Sequence, residues 1–231
     1  MPESTRSPLW VALLVAAMAA CGGSGPKRPQ PLSHHFDEYH IARVPIAERQ
    51  GVFKAQNDYQ IAKGEYMTAQ TKLEDNATRT EVAKNELKQA LLAEDSAKSK
   101  LKNADSTGDM NRVNTAKADQ RAAEMARRAA DQHLAAVKAE KKWLEKYIRY
   151  AEQQMYAQEA KFELAKAQVA QQKNIRPKGF ALPPYQQQYK ERSREAQRTK
   201  ALADQEKAKY EGEKKKYDTM KAEAQRAGGG K

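Results

Sequence analysis

The chain has 231 residues, of which 31% are charged and only 7% aromatic, with a mean hydropathy of −0.97. That is too polar for one compact globule of this length, and the excess of Ala, Lys, Glu, Gln and Arg at helical period points to long helices or coiled coil. A formal charge of +12 and a pI near 9.6 favour anionic partners such as phospholipid headgroups, lipopolysaccharide, cell-wall polymers or acidic clients, and a single cysteine excludes an intramolecular disulfide.

The first feature along the chain is an apolar run from Leu9 to Ala20. Crossing a bilayer as a helix takes roughly 20 such residues, so this run is too short to span one. Its length and its small-residue end read as a secretory signal. The run closes on Cys21, the chain's sole cysteine. Met18-Ala19-Ala20-Cys21 resembles the lipobox of bacterial lipoproteins, with Met18 where that family usually has Leu. The resemblance implies removal of residues 1–20, acylation of the Cys21 thiol, for instance with palmitate, and a lipid anchor at the new N-terminus. An ordinary signal peptide, or an apolar N-terminus that stays on, is the alternative. Gly22 directly after the cysteine resembles outer-membrane lipoproteins, since the Asp often associated with inner-membrane retention is absent. The same charge would suit nucleic acid, but export removes that partner.

Residues 21–45 then read as an anchor and flexible linker: Gly22 to Gly25 holds no structure, and Pro26, Pro29 and Pro31 keep the chain extended. A heptad pattern takes over at Val52 and runs through Ala55, Tyr59, Ala62, Tyr66, Ala69, Leu73, Ala83, Leu87, Ala90, Ala97, Leu101 and Ala104, interrupted by Asn76, Thr80 and Glu94. This is the seam of a long coiled-coil helix. Gly108 can end it in the left-handed conformation, and Ser106 or Asp109 can cap the next helix. So short a break returns the chain antiparallel.

The return helix repeats the rule at Val113, Ala116, Ala123, Ala130, Leu134, Val137, Leu144, Ile148, Ala151, Met155, Phe162, Ala165 and Val169, so residues 46–174 form an antiparallel hairpin. Folding at residues 106–109 sets Tyr59 near Met155 and Val52 near Phe162. Outer faces carry Glu94–Lys98, Glu124–Arg128 and Glu145–Arg149, each with the acid four residues ahead of the base. Pro177, Gly179, Pro183 and Pro184 force a turn over 175–184. A third, basic helix covers 185–227, with a thinner seam of Tyr185, Tyr189, Ala196, Ala203, Tyr210, Tyr217, Met220 and Ala224. It either folds back on the hairpin or projects alone, and partial packing is expected because four tyrosines would otherwise be exposed. Residues 228–231 form a flexible tail.

No convergent acid, base, nucleophile, phosphate loop or zinc spacing appears, so no enzyme, cofactor or metal site is expected. His34, His35 and His40 with Asp37 and Glu38 are the one cluster of potential ligands, and they fall in the linker, where nothing pre-organises them. His133 reads as solvated. Trp143, Tyr147 and Tyr150 read first as a packing belt or a groove for the third helix, and otherwise as a docking patch for a partner helix. Lys214, Lys215 and Lys216 are either a solvated face or a contact for anionic headgroups or glycans.

The chain resembles the major murein lipoprotein in its lipobox, its heptad helices and its terminal Lys231, but departs from it in having three helices and Gly228 to Gly230 before that lysine. The resemblance implies attachment of Lys231 to peptidoglycan as a possibility. The expected function is a non-enzymatic periplasmic scaffold or tether, alone or as a homo-oligomer. The alternative is a holdase for unfolded envelope proteins, like the Skp-like chaperones, although no segment here supplies their β body. An adaptor of a trans-envelope pump would also need β-rich domains.

Overall fold

A computed structural model of the protein describes residues 29–229. It is all-α. Two short 3₁₀ turns, Glu38–Ile41 and Ile46–Arg49, precede three long helices: α1 (Gln50–Thr107), α2 (Met110–Gln172) and α3 (Pro183–Ala227). Their 58, 63 and 45 residues correspond to about 87, 95 and 68 Å of rise.

The hairpin turn follows the expected chemistry. Gly108 takes φ 67° at the end of α1. The Asp109 side chain then accepts from the amides of Asn111 and Arg112 at 2.9 and 3.3 Å, which satisfies orphan donors at the start of α2. Along α1 burial follows a seven-residue period, at Ala55, Ala62, Ala69, Asn76, Ala83, Ala97 and Ala104, with Ala90 between them half-buried. Alanine there lets the two backbones approach closely while contributing little apolar area per turn, so stability accumulates over the length.

The arms meet at a different stagger from the one expected. Tyr59 lies in the field of Tyr156 and Glu159, Asp58 pairs with Lys161 at 2.7 Å, and Val52 packs with Ala167, Val169 and Ala170 as well as Phe162. The partners lie up to about one turn further along α2 because the chain reverses at Gly108–Asp109 rather than midway through 106–109.

Two of the polar interruptions are interior features rather than gaps. Asn76 is fully buried and donates to the Val137 carbonyl at 3.2 Å and to Glu140 Oε2 at 3.1 Å, while Arg79 reaches Glu140 at 2.9 Å. Glu94 is buried between Lys98 at 2.8 Å and Arg127 at 2.6 Å. The charged groups of each layer find their partners in one alignment of the arms, although the Asn76 Oδ1 is left without a donor, and this makes each layer a register pin: a slip by one heptad would bury unpaired charge.

Helix α2 is the middle of the molecule, packed along α1 on one side and along α3 on the other. Its second face is a heptad stripe, Ala129, Ala136, Trp143, Tyr150, Ala157 and Leu164, whose members are buried or half-buried. α3 answers with Tyr185, Tyr189, Arg192, Ala196, Thr199, Ala203, Glu206, Tyr210, Glu213, Tyr217, Met220 and Ala224. The third helix therefore folds back rather than projecting. It stops abreast of Ala93 and Ala97 on α1 and Ala122 and Ala123 on α2, and beyond that level the hairpin tip continues as two helices.

The largest apolar cluster sits at the opposite end, the base, where Phe36, Ile41, Val44, Val52, Ala167, Val169 and Ala170 are buried together with Phe162, Ile175, Phe180, Leu182 and Tyr185 around them. This corrects the reading of residues 21–45 as a free linker over its described part. Residues 29–45 are a strap seated on the base, with Leu32, Phe36, Ile41 and Val44 at most 6% exposed. The prolines keep its first part extended, but apolar residues every three to five positions give it a side to bury.

Candidate functional site

The strap is held by backbone recognition. Gln188 of α3 accepts the amides of Ser33 and His34 on its Oε1, both at 2.9 Å, and donates its Nε2 to the His34 carbonyl at 2.9 Å. Glu163 of α2 accepts the Phe36 amide at 2.6 Å on one oxygen and the Lys166 ammonium at 2.8 Å on the other. Arg192 donates to the Gln30 carbonyl at 2.6 Å. Glu163, Lys166 and Gln188 are all buried, and bonds to charged groups in such surroundings are the stronger kind. Neighbouring Glu159 has its carboxyl pushed above the ordinary glutamate range, chiefly by burial. Phe36 is the anchor, edge-on to Phe180 at 5.6 Å and to Tyr185 at 6.3 Å.

The histidine and acid cluster belongs to this strap and is organised by it. His35 Nε2 lies 3.1 Å from the Leu32 carbonyl, Asp37 caps the first 3₁₀ turn through the Tyr39 amide, and His40 meets the edge of Phe36. The side chains are given to local structure. Among the described residues no group of three His, Cys, Asp or Glu could hold a metal ion.

The aromatic belt is occupied by the chain itself. Trp143 stacks on Tyr210 of α3 with centroids 5.5 Å apart and planes 4° off parallel, and Tyr147 links Trp143 to Tyr150. Burial raises the Tyr147 and Tyr210 hydroxyls above the usual tyrosine range. Trp143 is therefore covered by the third helix, with Tyr147 and Tyr150 half-buried beside it. His133 is likewise no solvated residue: its Nδ1 sits 2.6 Å from Glu86 on α1, and its ring stacks on Tyr217 of α3 at 4.4 Å. One side chain thus touches all three helices.

The basic cluster of α3 is partly neutralised along its own helix. Lys214 pairs with Asp218 at 2.6 Å and Lys216 with Glu213 at 2.7 Å, Lys209 pairs with Glu206 at 2.7 Å, and Lys215 is exposed between them. Such exposed pairs contribute tenths of a kcal/mol. Cys21, with the rest of the lipobox-like segment, and Lys231 lie outside the described residues.

Sequence reading missed Gln188, Glu163 and Lys166 because single polar residues on charge-rich helices carry no spacing that marks them as partners of another segment's backbone. A weak signal was present in the spacing of Leu32, Phe36, Ile41 and Val44. Comparison with known protein families, curated proteins and solved structures finds no match.

Proposed function

We propose that this chain is a non-enzymatic lipid-anchored protein of the bacterial cell envelope, acting as a periplasmic scaffold or tether. The observation that carries the reading is the strap. Pro29, at its start, is eight residues from Cys21, a stretch that reaches about 28 Å when fully extended. The strap itself is bonded into the base at Gln188 and Glu163. Pro29 lies at the level of Gln153, about 28 Å of helix from the base end of α2 and about 65 Å from its tip, so an anchor on so short a leash could sit beside the base but not beside the tip.

Among the described residues no helix is long and apolar enough to cross a membrane, so in this reading attachment rests on Cys21. The partners are other envelope proteins or anionic cell-wall and lipid polymers. Lys215 with its neighbours is the contact proposed for the latter, and Lys231 is a second point of attachment if the murein-lipoprotein resemblance extends that far. A holdase clamp would need apolar inner faces open to clients, whereas here both faces of α2 are filled by α1 and α3.

The test is fractionation of cells labelled with radioactive palmitate, comparing wild type with Cys21→Ala, followed by cross-linking and pull-down. The variant should lose the label and move to the soluble periplasm. A variant that stays membrane-bound with the same partners refutes the anchor.

A further inference from the structure

A cleft of about 820 Å³ opens between the helices beside the point where the strap enters at Pro29. Its charge runs against that of the molecule. Among the described residues, Glu74 of α1 and Glu145 and Glu152 of α2 line it against a single guanidinium, Arg149, on a chain of formal charge +12. Two of the three acid–base pairs expected from the sequence close, Glu94–Lys98 at 2.8 Å and Glu124–Arg128 at 2.5 Å. The third, Glu145–Arg149, does not, and among the described residues neither Glu74 nor Glu152 has a cationic partner.

A second observation is independent of the acids. Gln153, 4% exposed, forms part of the same wall, and its Oε1 accepts no hydrogen bond. A buried amide oxygen left without a donor costs roughly 1–3 kcal/mol, and a ligand N–H would relieve it after a small rotation of the side chain.

We propose that this cleft binds a linear aliphatic polyamine. Glu145 and Glu152 are seven residues apart, about 10.5 Å along the helix, a spacing that suits ammonium groups at the two ends of a triamine. Glu74 faces them from α1, and Gln153 takes an N–H from the bound amine. Leu73, Ile148 and Pro29 offer apolar surface to the methylene spacers. The volume lies in the small-molecule range of roughly 300–1,000 Å³, which favours a compact amine over a basic peptide. The proposal goes beyond the scaffold reading and does not depend on it.

The experiment is calorimetric titration of the full chain with spermidine at low salt. Saturable one-to-one binding is expected, weakened at least tenfold in the Glu145→Gln/Glu152→Gln double variant and in Gln153→Leu, and unchanged in Glu124→Gln, whose acid is elsewhere. Unchanged helical circular dichroism establishes that each variant folds. Should Gln153→Leu unfold, the double variant decides, since neither of its residues is in a buried network. The proposal is overturned by absence of saturable binding at millimolar spermidine, by equal affinity in the double variant, or by equal affinity for magnesium or for an oligolysine peptide.

Discussion

Truncating Phe36 to alanine isolates the strap from the rest of the molecule. The side chain is 4% exposed and sits edge-on to Phe180 and Tyr185, so the change removes buried aromatic area and leaves a cavity. Phe→Ala changes of this kind cost about 3–5 kcal/mol. The lower end applies here because the site lies at an end of the bundle, where the strap can settle. About 3–4 kcal/mol corresponds to a factor of roughly 10² to 10³ in the population of released strap. The helices do not share the loss, since the seam from Ala55 to Ala104 makes no use of Phe36. Arg43 supplies the assay: it is exposed, but it lies between buried Ile41 and Val44, so trypsin can cut after it only when the strap lifts. With opening fast relative to cleavage, the cutting rate follows that population. Cleavage after Arg43 should accelerate roughly 10²-fold or more in Phe36→Ala while helical circular dichroism at 25 °C stays unchanged. An unchanged cutting rate would show that the strap is not held by this cluster. Equal acceleration throughout α1 and α2 would show that it is not a separate unit.

Gly64→Ala should raise stability by about 1 kcal/mol, read as a melting temperature higher by roughly 2–4 °C, because a Cβ at that exposed mid-helix position meets nothing within 4 Å. His133→Ala should speed amide exchange in the distal half of α3 by about tenfold, a loss of 1–2 kcal/mol from one ring stack and one hydrogen bond, while leaving the amides near Gln188 unchanged. Acid should destabilise the rod. Lys98 holds the Glu94 carboxyl below its ordinary value of 4.5, with Arg127 adding to the effect, and Lys161 holds Asp58 below 3.8. Depressed carboxylates contribute stability above their unfolded values and lose it as pH falls through the folded ones. Melting temperature should therefore hold from pH 7 to about 5 and drop below about 4, against the opposite pull of Glu159, and an Arg127→Met variant should show a weaker drop.

The first arm was legible in the sequence almost residue by residue, because a single helix packed on a single neighbour writes one stripe at one period. α2 was read only in part. Its seam against α1 was visible, but Ala129, Ala136, Ala157 and Leu164 form a second stripe that looks like ordinary alanine-rich filler until a third helix covers it. α3 hid its seam differently: Arg192, Glu206 and Glu213 occupy heptad positions while half-buried, their charges taken up by the Gln30 carbonyl, Lys209 and Lys216. The strap was illegible for a third reason. Proline and glycine report that a segment is not helical, and say nothing about whether it has somewhere to dock. Gln188 and Glu163 act on the strap's backbone, so no residue type in the strap advertises them.

Because α3 ends abreast of Ala97 and Ala123, the object is tapered. A beam of three helices narrows to a pair for its last 15 Å or so. Bending resistance rises steeply with cross-section, so a sideways push on the far end will flex the pair and spare the stock. The molecule has a compliant finger on a stiff handle, and whatever the finger meets need not be placed with the accuracy that the handle keeps.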